Sequence, residues 1–365
     1  MLIFLALLSC GTRSAQGFPH QEFLWSVANR NATVYLLGSI HALRPMDYPL
    51  AGVIDEAFNQ ADQVVFEVKY EELNSPFFSS YVTSRASYPR GETLQQHIAA
   101  DTYQLLKAYK AETGLNLSDA FRPWYVTALI INLEVEPLGY VEALGVDRHY
   151  YDRAKAVGKP ILALESAPLQ IDLLADVPPA QQEKELRDTL LNRGEVGQGL
   201  SKLVAAWTSG NLAELTEIIQ QEQTDNPETH ARFFTDRNNR WVSQIETFLS
   251  LDQITLVIAG AGHFVGDDGV VNLLRRKGYI VQQLPLRPTR LLSPRRLDAG
   301  DAELTFELIA GHNYSLEAST NLLTWDSIWR FVSSDATKNY LDSSARGMPS
   351  RFYRLRNLDA ALNLP

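Results

Sequence analysis

Short apolar runs alternate with segments of helical periodicity over most of the chain before residue 285. Five of these runs are rich in aliphatic and β-branched residues and are too short to be helices, so they predict buried strands. They cover residues 33–37, 63–66, 159–164, 253–258 and 279–284. Strands that alternate with helices are typical of a mostly parallel sheet.

The segments between these runs carry apolar residues at helical spacing. Helices are predicted over about residues 50–61, 94–110, 118–134, 146–157, 181–191, 211–223, 227–249 and 270–277. Gly158 and Gly278 are stop signals for the two helices that precede them. The pattern therefore predicts an α/β fold in which a mostly parallel central sheet carries large helical insertions.

The pattern changes at a proline-rich segment, residues 284–296, which cannot continue a helix or a central strand. Beyond it, apolar residues alternate with polar ones, which predicts a small C-terminal antiparallel β module; they are Leu304, Phe306, Leu308, Tyr314, Leu316 and Ala318. We therefore expect an α/β domain over residues 18–287, a linker over 288–300 and a β-sandwich-like module over 301–359.

The first seventeen residues resemble a secretory signal, although they lack a basic start. The sequence Leu7-Leu-Ser-Cys-Gly11 also resembles a bacterial lipoprotein cleavage box, with Cys10 as a possible lipid anchor. Both interpretations predict an exported protein, either periplasmic, an outer-membrane lipoprotein or secreted. The apolar run is too short to span a bilayer, and we expect no transmembrane helix elsewhere.

Composition excludes several functional classes. The formal net charge is −10 and no long basic run occurs, so we expect no nucleic-acid partner. Cys10 is the only cysteine, so the mature chain offers neither a cysteine nucleophile nor a thiolate zinc site.

Two matching motifs follow predicted strands. Gly38-Ser-Ile-His41 and Gly260-Ala-Gly-His263 each place a histidine just past the carboxyl end of an apolar run. Ligands bind at that edge of open α/β sheets. Two further predicted strands end in acids, Glu67 and Glu165. The sequence thus predicts two imidazoles and two carboxylates on one rim.

Imidazole and carboxylate together suit a divalent metal, and the sequence does not choose between Mn, Co and Zn. A metal held by the two histidines and one carboxylate would leave room for a water of lowered pKa. The other carboxylate would be free to act as general base. Against this, strand-end histidines are often simple hydrogen-bonding loop residues, and the two acids could be helix caps or surface groups.

A dinucleotide loop is a competing interpretation of the second motif. Gly260-Ala-Gly-His-Phe-Val-Gly266 follows a strand and precedes a helix. However, the next predicted strand ends in Gln282-Gln283, without an acid for a ribose. Nucleotide binding is therefore disfavoured. On pattern alone, the polar residues 235–240 favour a solvated helix face.

Several stretches together resemble the TraB/GumN family, which is related to the Tiki proteases and more distantly to haem-binding ChaN-like lipoproteins. The resemblance spans about residues 20–287. It rests on Leu36-Leu-Gly-Ser-Ile-His41, Phe66-Glu67, Gly145-Val-Asp-Arg148, Gly158-Lys-Pro-Ile-Leu-Ala-Leu-Glu-Ser166, Asp236-Arg-Asn-Asn-Arg-Trp241, Gly260-Ala-Gly-His-Phe-Val-Gly-Asp-Asp-Gly269 and Lys277-Gly-Tyr279.

The resemblance implies an α/β fold with two motif histidines and an acid at a metal site. It also implies that Arg237 and Asn238 match the family's Arg-Asn pair, which reverses the solvated-face interpretation. Arg237 would bind an anionic intermediate or a substrate carboxylate. The sequence departs from the family at Val68-Lys69, where a second acid is often found after Glu67, and in the added C-terminal module.

The leading functional hypothesis is a metal-dependent hydrolase, a peptidase or amidase of the cell envelope. Its metal ligands would be His41, His263 and Glu67, and its catalytic residues Glu67, Glu165 and Arg237. Glu165 would act as base or orient another group. Arg237 and Asn238 would bind a peptide or small-molecule substrate. The alternative is a non-catalytic protein that sequesters a peptide, haem or metal at the same rim. A third hypothesis is an envelope interaction protein that acts through its C-terminal module.

Overall fold

The computed structural model describes residues 21–29, 32–48, 50–285, 290–292, 294–308, 313–333 and 337–358. Their contacts divide them into two compact units. One holds the described residues of 23–50 and 56–283, and the other holds those from 284 onward together with 21–22 and 51–55. The predicted signal and the lipid anchor at Cys10 lie outside the described residues. No helix within the described ranges is long and apolar enough to cross a membrane.

A six-stranded sheet carries the strand order β4-β3-β5-β2-β1-β6. Its strands are β1 (Gln21–Ala28), β2 (Thr33–Ser39), β3 (Gln63–Phe66), β4 (Ile161–Ala163), β5 (Ile254–Gly260) and β6 (Val281–Pro285). The pairs β2–β5, β5–β3 and β3–β4 are parallel, and β1 runs antiparallel to β2. The five predicted strands and the mostly parallel sheet are confirmed, whereas β1 was not predicted.

The central strands are apolar because the sheet is covered on both faces. Every residue of β3 is buried, and so are residues 255–259 of β5. Because both faces are covered, successive residues of these parallel strands are apolar. The resulting continuous apolar runs made the strands recognisable in the sequence.

Helices surround the sheet in long insertions between its strands. They are α1 (Gly52–Gln60), α2 (Tyr70–Leu73), α3 (Pro76–Ala86), α4 (Leu94–His97), α5 (Ala100–Thr113), α6 (Pro123–Val135), α7 (Val146–Ala156), α8 (Ala167–Ala175), α9 (Pro179–Leu191), α10 (Arg193–Thr208), α11 (Leu212–Asp225), α12 (Pro227–His230), α13 (Asp236–Leu249) and α14 (Val270–Arg276).

Three helix predictions differ from the structure in detail. The helix expected over 94–110 is divided into α4 and α5. The helix expected over 118–134 begins at Pro123, a residue that suits the first turn of a helix because its missing N–H needs no partner there. The helix expected over 227–249 is interrupted by a π-helical segment, Ala231–Thr235. Helices α2, α3, α8 and α10 were not predicted.

The C-terminal unit consists of antiparallel strands, as predicted. One sheet has the order β11-β10-β13, and another has the order β12-β9-β7 with β8 also paired to β9. The strands are β7 (Arg290–Leu291), β8 (Arg295–Arg296), β9 (Ala302–Glu307), β10 (Asn313–Ser319), β11 (Asp326–Val332), β12 (Thr337–Asp342) and β13 (Phe352–Asn357). Two of them, β7 and β8, lie within the segment expected to be a linker.

The register of the parallel strands aligns their carboxyl ends. Ser39 at the end of β2 lies opposite Gly260 at the end of β5. Phe66 at the end of β3 lies opposite Ile258 on one side and Ala163 on the other. Four neighbouring strands therefore end at the same edge of the sheet, and the chain leaves this edge through the segments that carry His41, Glu67, Glu165 and His263.

Candidate functional site

The two motif histidines and Glu67 converge beside Gly260. A Cβ atom placed on Gly260 would lie 3.5 Å from His41 Nε2, 3.7 Å from His263 Cδ2 and 3.4 Å from Glu67 Oε1. Both rings therefore face the same small space beside an acid, although they are carried by loops that follow different strands. The roles of these residues stay predictions.

Arg237 lies at the centre of this polar cluster and is buried. Its Nε donates to both oxygens of Glu165, at 3.1 and 3.0 Å. One terminal nitrogen donates to the Phe233 carbonyl at 3.1 Å and to His263 Nε2 at 3.0 Å. The other donates to Glu67 Oε2 at 2.7 Å and lies 2.9 Å from Glu165 Oε2. Four of the five N–H groups of the guanidinium thus donate to protein acceptors.

The π-helical segment and the following helix position Arg237. Phe233, whose carbonyl accepts from the guanidinium, lies in the π-helical segment, and single-turn π segments often occur at functional sites. Trp241 lies one turn further along α13, and the guanidinium carbon lies 4.7 Å from its ring centroid. The planar group is therefore held by a ring as well as by its hydrogen bonds.

His41 is oriented by a carboxylate that sequence analysis did not single out. Its Nδ1 lies 3.0 Å from Asp147 Oδ1, and the Tyr70 hydroxyl donates to the other oxygen of Asp147. Burial lowers the pKa of His41, but the charge of Asp147 and its hydrogen bond outweigh burial and, with the charge of Glu67, raise this pKa to about 9. His41 Nε2 is left facing the cavity.

Asp147 reaches His41 because the start of α7 lies against the first motif. A Cβ on Gly145 would meet the His41 carbonyl oxygen at 2.3 Å, so only glycine permits this approach. The Val146 amide donates to the Ile40 carbonyl at 2.9 Å and fixes the contact. The signal was present in Gly145-Val-Asp-Arg148, which belongs to the family resemblance but suggested no role by itself.

His263 has different partners. Its Nδ1 lies 2.7 Å from Asn238 Oδ1, and Asn238 Nδ2 donates to the Asp268 carbonyl at 2.9 Å. This chain of bonds orients the amide so that His263 Nδ1 carries the proton and Nε2 accepts from Arg237. Burial and then the charge of Arg237 lower the pKa of His263 well below its usual value. Asn238 is buried behind the ring and does not line the cavity.

The two acids differ in their access to the cavity. Glu67 Oε1 accepts from the Gly260 amide at 2.8 Å, and Oε2 also accepts from Gln170 at 2.9 Å. Burial raises the pKa of Glu67, but the charge of Arg237, together with that of His41 and the hydrogen bond from the Gly260 amide, outweighs it and holds this pKa far below its usual range. The side chain of Glu165 is only 2% exposed, and it does not line the cavity.

A cavity of about 510 Å³ opens from the polar cluster. His41, Glu67, Arg237 and His263 line one end of it. Much of the remaining wall is apolar and comes from the helical insertions, so the helices enclose a space over the carboxyl edge of the sheet.

Comparison with known proteins identifies the family of the chain. The model of the TraB/PrgY/gumN family matches residues 23–283. The chain belongs to the TraB/PrgY/gumN family.

Relatives of this family member include the metalloprotease TIKI2 of Danio rerio, which is 24% identical over 72% of this chain and 61% of its own length. The uncharacterized protein YbaP of Escherichia coli strain K12 is 24% identical over 67% of this chain and 89% of its own length. The metalloprotease TIKI1 of Danio rerio is 23% identical over 76% of this chain and 65% of its own length. The alignment thus spans about three fifths of TIKI2. No solved structure matches the chain.

The sequence of this TraB/PrgY/gumN member predicts a divalent metal at the rim. The donor types at the rim suit one, and Asp147 stands behind His41 as carboxylates do behind metal-bound histidines. The positions of these donors, however, do not suit a metal ion. Among the described residues, no group of three or more His, Cys, Asp or Glu is placed to hold a metal. Arg237 instead engages Glu67 Oε2 and His263 Nε2. As arranged, His41, His263 and Glu67 do not form a metal centre.

Proposed function

We propose that this chain is a hydrolase of peptide bonds, of the metalloprotease type, acting where His41, Glu67 and His263 meet at Gly260. The observation that carries the proposal is this convergence at one end of an open cavity. The relatives named metalloproteases support it. Because the alignment covers only a fraction of those relatives, the activity itself belongs to the proposal.

The surroundings of each side chain support a division of roles. Without a metal, His41 carries a charge at neutral pH, and its Nε2–H can donate to the oxygen of a substrate carbonyl; a metal bound at Nε2 would replace this proton. Glu67 is a weak base because its pKa is held so low, and it serves better as a ligand or as a hydrogen-bond acceptor.

Glu165 and Arg237 fit a positioning role. Both Glu165 oxygens contact Arg237, which in turn holds Glu67 and His263. This supports orientation, not base catalysis, as the function of Glu165. Direct substrate contact by Arg237 and Asn238 stays a prediction, because each is engaged by protein groups.

Metal binding belongs to the proposal. A divalent ion (Mn, Co or Zn) held by His41, His263 and Glu67 requires the Arg237 side chain to release His263 Nε2 and Glu67 Oε2. We also propose that the protein is exported, with either a cleaved signal or a lipid at Cys10. The domain boundaries and the role of the C-terminal module are proposals as well.

Peptide cleavage tests the proposed function. The full chain is incubated with a mixed peptide library and Mn²⁺, Co²⁺, Zn²⁺ or a chelator, and products are identified by mass spectrometry. We expect metal-dependent cleavage that falls by about 100-fold or more in His41→Ala and Glu67→Gln. Metal content measured in parallel should fall in His41→Ala and His263→Ala. His97→Ala is the matched control, because His97 pairs with Glu92 at the surface.

A folded protein that cleaves no peptide with any of these metals would contradict the proposal. It would favour the second candidate, a protein that captures its ligand without turnover. The surroundings of Arg237 favour that candidate, because protein acceptors already occupy four of its five N–H groups. Tight peptide capture without products identifies the peptide version, and a visible absorption band on titration identifies a haem version.

A further inference from the structure

The cavity beside the polar cluster separates charge from apolar surface. Its charged lining residues lie on the loops that follow the strands, in the short turn before α7 or at the starts of α7 and α13. Six helices, α2, α3, α6, α8, α10 and α11, and the π-helical segment line much of the rest. Among the described residues, none of the side chains that these helical segments contribute is charged. Their apolar contribution includes Phe78, Leu129, Leu174, Leu203 and Ile219.

These apolar side chains are only partly buried, although they lie on helices that pack against the domain. Phe78, Leu129, Leu174, Leu203 and Ile219 all keep an intermediate exposure, and all line the cavity. Apolar surface that stays in contact with water in a concave site is a typical ligand-binding feature. A volume of about 510 Å³ is ordinary for such a pocket.

The apolar wall reaches the second motif directly. A Cβ on Gly262 would meet Ile219 Cδ1 and Phe234 Cε1, each at 2.9 Å. The Phe234 and His263 ring centroids lie 4.9 Å apart. The absent side chain at Gly262 thus lets the wall pack against the turn that carries His263, so no polar gap separates the wall from this side of the cluster.

Helix α8 joins the polar cluster and the apolar wall from another side. Its Gln170 donates to Glu67 Oε2 at 2.9 Å, and its Leu174, a helical turn away, belongs to the apolar wall. A peptide whose backbone lies at Glu67 and His41 would therefore place a neighbouring side chain against Leu174, Ile219 and Phe234.

We propose that this cavity is a specificity pocket for a large apolar side chain, such as leucine or phenylalanine, next to the bond that is cleaved. The inference rests on the proposed function for its catalytic component, but the pocket itself is defined by its walls. A charged side chain would lose its hydration in this pocket, and the uncharged wall could not replace the lost water contacts. An acyl chain could use the same apolar surface, and the experiment distinguishes it.

The test compares peptides that differ at one position, with leucine, phenylalanine, alanine, aspartate or lysine, and measures kcat/KM for each. We expect leucine or phenylalanine to exceed alanine by about 10-fold or more, and the charged residues to be poorer still. Cleavage without an apolar preference would overturn the inference and leave the proposed function standing.

Variants of the wall make the test specific. Leu203→Asp should reduce the preference for leucine over lysine by about 10-fold. Leu203→Phe narrows the pocket and should shift the substrate preference towards smaller apolar side chains. This variant gives a separate readout if Leu203→Asp does not fold. Leu191→Asp is the matched control, because Leu191 is 54% exposed and does not line the cavity. A folded Leu203→Asp protein with the wild-type profile would contradict the inference.

A binding measurement separates the two proposals. The anisotropy of a fluorescent leucine-rich peptide is recorded in chelator with the wild-type protein, with Leu203→Asp and with the control Leu191→Asp. Binding that weakens only in Leu203→Asp supports the pocket even if no peptide is cleaved, in which case the proposed function alone fails. Tighter binding of an N-acylated peptide, lost in Leu203→Asp while the unacylated peptide is unaffected, would overturn the side-chain assignment.

Discussion

The two Gly-x-x-His motifs share a pattern but differ in their surroundings. Both follow neighbouring parallel strands, β2 and β5, and both rings face the space beside Gly260. Behind His41 stands a carboxylate, Asp147, whereas His263 lies between the Asn238 amide and the Arg237 guanidinium. The motif therefore determines where a ring lies, and the neighbouring helices determine its charge.

The difference makes the rings chemically complementary. The pKa of His41 is raised to about 9, so His41 is a charged hydrogen-bond donor at neutral pH. The pKa of His263 is lowered, so His263 is neutral and its Nε2 is an acceptor. His41 can therefore donate to a ligand in the cavity, whereas the Nε2 lone pair of His263 is occupied by Arg237.

Of the variants that test this difference between the two histidines, removal of Arg237 should change the stability of the protein most. Arg237→Met leaves Glu67 and Glu165 buried without their cation, which we expect to cost about 3–5 kcal/mol of the free energy of unfolding. The melting temperature should fall by roughly 10 °C. Calorimetry checks both values. Arg240→Met is the matched control, because Arg240 is half-exposed and contacts only Glu165, at 3.5 Å; it should change stability by less than about 1 kcal/mol.

The pH dependence of Arg237→Met gives a second readout. Without the guanidinium, burial dominates and raises the pKa of Glu67. Protonation of Glu67 then relieves the unpaired charge, so the variant should be less destabilised at pH 5 than at pH 8. Equal destabilisation at both pH values would contradict the assignment of Arg237 as the counter-ion.

Asp147→Asn should have a smaller effect, confined to the His41 side. The folded-state pKa of His41 lies above its usual value, so the charged pair contributes stability fully below about pH 6.5 and loses it as the pH rises through about 9. The variant should therefore be less stable than wild type by on the order of 2 kcal/mol at pH 6, and the gap should shrink by pH 10. Urea unfolding of chelator-treated protein measures it.

The control for this prediction is Glu92→Gln, which removes the carboxylate of another histidine pair. Glu92 and His97 are both substantially exposed, so their pair contributes little. A gap for Asp147→Asn that is constant from pH 6 to pH 10 would show that Asp147 stabilises the fold without acting through the charge of His41.

The sequence allowed prediction of those features of the site that depend on strand ends. Apolar runs marked β2 and β5, and the parallel sheet implied that His41 and His263 leave it at the same edge. Asp147 could not be found in this way, because it contacts His41 only through the packing of α7 against the first motif. That contact is a property of the tertiary structure.

The missed elements have similar physical reasons. Helix α10 contains three glycines, Gly194, Gly197 and Gly199, whose low helix propensity argues against it; packing of its buried residues, Leu200 and Trp207 among them, overrides that propensity. Only residues 18–20 separate strand β1 from the predicted signal, so its apolar residues were not distinguished from that segment. The antiparallel β1 is what makes the sheet mixed.

The protonation states of the two rings test the account most directly. Nitrogen-15 NMR of chelator-treated, histidine-labelled protein reports the charge and tautomer of each ring, and His41→Ala and His263→Ala assign the signals. We expect His41 to be doubly protonated at pH 7 and to titrate near pH 9, while His263 stays neutral with its proton on Nδ1. Two rings that titrate together near the ordinary histidine pKa of about 6.5 would contradict it.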